Sequence, residues 1–221
     1  MTGRLVVVVG TGTGVGKTHV ALALMHALAE RGLAVAGYKA VETGLEGGAE
    51  SDASRLSGGG RFHVKPSPYR FAPPLSPHLA ARQAGSRINL GALRSDIAAL
   101  RRDYACVVIE SAGGLFTPLG EGLTNWDLVR ALDPCGVVLV ARDGLGVLHD
   151  LTATLGLAAA RGRRIDVVAL SAPEVADAST GTNAGEAERL GIATVTGIFP
   201  RSVPDAPAST SASRNVLAAL G

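Results

Sequence analysis

The stretch VVVVGTGTGVGKTHVALAL, residues 6–24, limits what this chain can fold into more than any other segment. A β-branched run enters a glycine-rich turn, and Lys17, Thr18 and an apolar helix follow at once. A continuous apolar strand such as Leu5 to Val9 needs cover on both faces, as in a parallel sheet flanked by helices. The predicted helix, His19 to Arg31, is apolar nearly all round and closed by Gly32, so it packs against that sheet. Strand, glycine turn and helix in this order describe a phosphate-binding loop. Successive backbone N–H groups cradle an anion at the helix start, a lysine meets its charge and a hydroxyl serves Mg²⁺. Gly10, Gly12, Gly14 and Gly16 permit the turns, Lys17 supplies the charge and Thr18 the hydroxyl. The general pattern places a glycine five residues before Gly16; here Thr11 stands there and Gly10 comes one place early.

The rest of the chain continues the alternation. Strands are predicted at Leu33–Val41, Tyr104–Ile109, Cys135–Ala141, Ile165–Leu170 and Ala193–Ile198. Helices are predicted over Pro77–Ala84, Leu90–Arg101, 124–132, 148–161 and 183–190, with a last one after Ser213 and a turn or two near Asp52–Leu56. This order predicts an α/β, doubly wound, mostly parallel sheet with helices on both faces, of the P-loop NTPase type. Without repeat or linker, residues 1–221 read as one domain, and the irregular 44–77 stretch as functional loops. In such folds ligands gather at the carboxyl ends of strands. The residues with chemistry fall there: 10–18, Lys39 to Thr43, Glu110 to Gly114, Asp143 to Gly146, and Ser171 to Pro173.

Composition narrows the function classes. Hydrophobic residues make up 47% of the chain but aromatics only 4%, so the core rests on Ala, Val and Leu. A net charge of +2 gives no case for nucleic acid. The basic clusters Arg101–Arg102 and Arg161–Arg164 sit at predicted helix ends, where cations favour the dipole. Cys106 and Cys135 form no CxxC pair and read as small buried hydrophobes in a reducing compartment. With no signal sequence and no segment long enough to span a bilayer, the expectation is a cytoplasmic protein without a membrane partner.

The loop GTGTGVGKT (10–18) resembles the G-T-x-T-x-V-G-K-T loop of dethiobiotin synthetases, whose first glycine is also one place early. AGYKAVETG (36–44) is similar to that family's G-x-K-P-V-x-[ST]-G, ESDASRL (50–56) to its aspartate segment, and YRFAPPLSPHLAA (69–81) to its proline-rich substrate loop. VVIESAGGLFTPL (107–119) is similar to its V-E-G-A-G-G segment. The match runs in order from about residue 4 to residue 150. The family belongs to the dimeric P-loop ATPases that include cell-division and chromosome-partitioning proteins.

The resemblance implies closure of a cyclic urea from 7,8-diaminononanoate and CO₂ with ATP, through a carbamate activated by the γ-phosphate. It implies ATP and Mg²⁺ as cofactors and a homodimer whose substrate site uses both subunits. Thr13, Gly14, Val15, Gly16, Lys17 and Thr18 would hold the nucleotide, with Ser171 and Pro200 at the base. Thr18, Asp52 and Glu110 would hold the metal. Lys39 would bind the carbamate and act with Lys17 and Thr11 on the reacting groups. Thr43, Gly113, Gly114, Leu145 and Gly146 would line the substrate. Taken alone, Glu110 and Asp52 could be local caps and Lys39 a snorkelling strand-end lysine. Four departures stand out: Ala40 for the usual proline, Ser111 for glycine, Leu148 where an asparagine is expected, and Ser171 for the asparagine that meets adenine. The alternatives are a P-loop ATPase that switches a binding partner, or a synthetase for a related amine or acid. The switch proteins carry an early loop lysine where this chain has Gly12. A cobyrinate-type amide synthetase would need a glutaminase domain that this chain has no room for.

Overall fold

A computed structural model describes residues 3–48, 50–133 and 135–221. Strands β1 (Arg4–Gly10), β2 (Val35–Lys39), β3 (His63–Lys65), β4 (Cys106–Gly114), β7 (Gly136–Arg142), β8 (Val167–Ser171) and β9 (Val195–Phe199) form one sheet in the order β3-β2-β4-β1-β7-β8-β9. Its strands all pair in parallel. A separate antiparallel pair joins β5 (Pro118–Gly120) and β6 (Leu123–Thr124). The helices are α1 (Lys17–Glu30), α2 (Asp52–Leu56), α3 (Pro77–Gln83), α4 (Leu90–Asp103), α5 (Asn125–Ala131), α6 (Val147–Ala160), α7 (Asn183–Arg189) and α8 (Pro207–Ala219).

The period of two along β1 divides the core. Val6 and Val8 join α1 and α8 on one face; Leu5, Val7 and Val9 join α4, α5 and α6 on the other. Both faces are covered, as the uninterrupted valine run requires. Helix α1 buries ten of its fourteen residues and lies between the sheet, α2 and α8. Gly32, just past its end, takes φ 79, the left-handed conformation expected of a closing glycine.

Several boundaries differ from those read in the sequence. The second strand is only Val35–Lys39, because Leu33 is exposed and lies in the turn out of α1. The strand read as Tyr104–Ile109 runs instead to Gly114, so Glu110–Gly114 are strand residues and not a following loop. Ser171 likewise ends β8 rather than following it. The last helix starts at Pro207, with proline in its first turn where a missing N–H costs nothing, and not after Ser213. The short β3 and the β5–β6 pair were not expected. Each has three residues or fewer, too few for a period to show. Cys106 is buried as expected, but Cys135 is only half-buried at the start of β7. No described helix is long and apolar enough to cross a membrane.

Candidate active site

The loop between β1 and α1 turns back on itself at Gly14 and Gly16, which hold φ 72 and 95. Left-handed backbone of this kind favours residues without a Cβ. At Gly16 a second constraint applies: a Cβ would sit 2.2 Å from Ser171 Oγ. The loop brings Lys17 to the floor of a cleft of about 900 Å³ at the carboxyl ends of β1, β2 and β4. Its Nζ donates to the Gly12 carbonyl at 2.8 Å. Burial pushes Lys17 down to about 8, with Lys39 adding to the effect and Glu110 and Asp52 opposing it.

Lys39 ends β2 beside Glu110 of β4, where the two residues are register partners. Its Nζ lies 2.6 Å from Glu110 Oε1 and 2.7 Å from Asp52 Oδ2 at the start of α2. The ammonium is buried and held between two carboxylates. Burial works against its charge, but Glu110 and Asp52 outweigh burial and keep Lys39 above the usual lysine range. For Asp52, burial is likewise outweighed by Lys39, which holds the carboxyl below its ordinary value. Glu110 is fully buried, and desolvation pushes it up against the pull of Lys39. Thr18 Oγ1 completes the cluster, 2.9 Å from Glu110 Oε1 and 3.4 Å from Asp52 Oδ1. Two carboxylates inside a protein are tolerable because a cation neutralises them.

Thr18, Asp52 and Glu110 fit a Mg²⁺ ion. Glu110 Oε2 is buried with no hydrogen-bond partner, so one hard oxygen of this residue is uncommitted. Among the described residues no group of three or more His, Cys, Asp or Glu could hold a metal. Two carboxylates and a hydroxyl suit an ion that keeps waters and takes phosphate oxygens as further ligands.

The far half of the cleft is walled by Val41, Pro74, Leu75, Pro77, Ala112 and Pro118, with Thr43, Ser76 and Thr117 among them. Of the residues singled out in the sequence, Thr13, Gly14, Gly16, Lys17, Thr18, Lys39, Thr43, Asp52, Glu110 and Gly113 line this cleft. The others do not. The Thr11 N–H is bound to the Val140 carbonyl, and its own carbonyl would lie 2.9 Å from a Cβ on Gly114. Those two residues therefore form a close backbone crossing behind the wall. Val15 is buried beneath the loop, and Ser171 is packed against Gly16. Pro200 neighbours His19, which itself lines the cleft.

Leu145 and Gly146 stand apart from the cleft. Leu145 is 89% exposed on the loop after β7, and its N–H donates to Asp177 Oδ2. Gly146 precedes α6 with φ 95. Counted from Leu145, the asparagine place of L-G-x-x-N-H falls on exposed His149, not on Leu148 as expected. Leu148 packs against the core, which explains its apolar character.

Two positions escaped the sequence reading. Asn125 is 1% exposed, and its Nδ2 donates to the carbonyls of Ala112 and Gly114 at 2.6 and 2.7 Å, fixing the glycine turn. Glu42, 2% exposed, accepts from Ala53 N–H and from Arg70 Nε, tying α2 to the end of β2. Glu42 offered a hint, being an acid in an otherwise apolar strand end. Asn125 offered none, since a residue beginning a helix reads as a cap neighbour.

A family profile described as "AAA domain" (AAA_26) matches residues 4–205. The protein called ATP-dependent dethiobiotin synthetase BioD in Anaeromyxobacter dehalogenans (strain 2CP-C) is 42% identical over 188 residues, 83% of each chain. Its namesake in Caulobacter vibrioides (strain NA1000 / CB15N) is 38% identical over 171 residues, 74% of this chain and 78% of that one. Among solved structures, a ParA family ATPase from Chlorobium tepidum TLS superposes with a TM-score of 0.58 at 16% identity, over 98% of this chain and 91% of that one. The MinC:MinD cell division protein complex of Aquifex aeolicus gives 0.56 at 14% identity, over 98% and 94%. At such identities these two superpositions speak for the fold alone.

Proposed function

The chain belongs to the dethiobiotin synthetase family, and from that premise we propose how its cleft closes the ring of dethiobiotin. The reaction consumes ATP, takes 7,8-diaminononanoate and CO₂, and serves biotin biosynthesis. The observation that carries the reading is Lys39 fixed between Asp52 and Glu110, beside Lys17 and Thr18, at the junction of a phosphate loop and an apolar trough.

The trough suits the alkyl chain of the diamine, and the loop suits the triphosphate. One amine takes up CO₂ as a carbamate, whose oxygen attacks the γ-phosphorus; ADP leaves. The second amine then attacks the activated carbonyl, phosphate leaves, and the cyclic urea is complete. Lys17 binds the phosphates from the loop. Lys39 neutralises charge where carbamate oxygen and γ-phosphate meet. Thr18, Asp52 and Glu110 would hold Mg²⁺, which when bound supplies charge neutralisation at the phosphates. Fixed cations placed where charge develops are the main device for such a transfer. Thr43 and Gly113 border the trough, and Asn125 keeps the Gly113–Gly114 turn in shape.

Because Leu145 and Gly146 lie outside this cleft, we assign them to the cleft of a second subunit, in a homodimer of single-domain chains 1–221 acting in the cytoplasm. An active monomer in sedimentation would refute the dimer. For the reaction itself, protein with MgATP, bicarbonate and 7,8-diaminononanoate should form the cyclic urea in step with ADP. ATP turnover without urea by mass spectrometry would refute the assignment.

A further inference from the structure

Ring closure creates a proton problem. An attacking amine must be neutral, and once it has bonded to the carbonyl carbon its nitrogen must shed a proton. The groups already placed in the cleft are poor acceptors. Lys39 is an ammonium between two carboxylates, and Asp52 is its counterion. Glu110 Oε1 is shared by Lys39 and Thr18, and its Oε2 is the oxygen that would take Mg²⁺. Lys17 faces the phosphate loop. His19 lines the cleft but packs edge-on against Phe199 and is held by the Pro200 carbonyl.

His78 is a further titratable group within reach of the trough wall. Ser76 lines it immediately before α3, where a serine hydroxyl ordinarily caps the helix. Here the side chain makes no capping bond; Ser76 Oγ instead lies 2.9 Å from His78 Nδ1. Ser76 lines the trough while His78 does not, and both residues are half-buried. That separation is within the range over which a proton passes directly.

Resting on the reading above, we propose that Ser76 and His78 form the exit for the proton released on ring closure. As the second amine bonds to the carbonyl carbon, the C–O bond to phosphate breaks and phosphate leaves with the electron pair. The nitrogen's extra proton passes to Ser76 Oγ while the hydroxyl proton passes to His78 Nδ1. The imidazolium, with its second proton on Nε2, then discharges to solvent and the serine is restored. Ser76 touches the substrate; His78 acts through it.

The test measures urea formation by purified His78→Gln with all substrates present. The expected result is a kcat lower by ~100-fold, the scale of one general base. The KM for the diamine and the affinity for MgATP should stay near the parent values, and added imidazole should restore much of the lost rate. Unchanged kcat overturns the proposal. A loss that imidazole does not restore overturns it too, and assigns the pair to structure. Should His78→Gln fail to fold, Ser76→Ala interrupts the same path and must show the same drop in kcat without a matching loss of MgATP affinity. Parent protein that forms no urea would instead refute the function proposed above, a result separable from either variant.

Discussion

Replacing Lys39 by methionine keeps the length and packing of the side chain and removes a single ammonium. The cost follows from its neighbours. Glu110 is 1% exposed and loses a partner at 2.6 Å, while Asp52, 36% exposed, can turn to water. Breaking a buried ion pair costs ~3–5 kcal/mol, and the half-open Asp52 puts this case at the lower end, about 3 kcal/mol. For a chain of this size that lowers the melting temperature by about 6–12 °C. The loss depends on pH with a definite sign. Without Lys39 the Glu110 carboxyl, already pushed up by burial, rises further. The folded state then keeps a proton that the unfolded state has released. The penalty is therefore full above the folded pKa and shrinks as pH falls toward the ordinary carboxylate range. Melting curves at neutral and mildly acidic pH should show the gap to the parent narrowing. Turnover should fall by at least ~100-fold, the scale of one transition-state donor, with MgATP affinity nearly intact. A variant that melts with its parent, or one that loses nucleotide affinity but turns over normally at saturation, would refute the account.

Gly16→Ala should abolish nucleotide binding in equilibrium dialysis. Adding Ser171→Gly should not restore it, because removing the 2.2 Å clash leaves φ at 95; full recovery would show that the turn is not constrained by its backbone. Lys17, at about 8 in the free protein, should take up a proton when phosphate arrives. Calorimetry of MgATP binding near pH 8, in buffers of different ionisation enthalpy, should register net uptake; no buffer dependence would contradict it. The same depressed lysine destabilises the free fold below pH 8, a penalty that fades as pH rises toward 10.5. GTP and CTP should support turnover within about tenfold of ATP in kcat/KM. Ser171 faces Gly16 and offers no amide to the base, and a preference for ATP above ~1,000-fold would show that another group reads it.

The sheet was legible because each parallel strand buries both faces and so appears as an unbroken apolar run, as at Val6–Val9 and Val137–Val140. The phosphate loop was legible for a related reason: glycines at positive φ leave a mark that no alternative residue reproduces. Lys39 and Glu110 could be placed at strand ends and Asp52 in a helical turn, but their mutual neutralisation could not be read, since Lys39 meets Glu110 through the sheet register and Asp52 reaches Lys39 from α2. Ser171 was placed at the base only through the family's asparagine position, and its packing against Gly16, 155 residues earlier, left no mark in the sequence. Short pairings such as β3 and β5–β6 owe their existence to neighbours rather than to their own residues, and so left no pattern.

The central place of β1 has a consequence for biogenesis. It is the first strand made, yet its partners are β4, reached at Cys106, and β7, reached at Gly136. At a synthesis rate of ~5–20 residues per second, on the order of ten seconds pass before about 130 further residues have emerged and both edges can be paired. During that interval the nascent chain carries Val6–Val9 as an open, uncharged edge, the kind of segment that pairs with other chains. The strand that ends at the centre of the finished sheet is thus an open edge during translation, and the early helix α1 is the element positioned to shelter it.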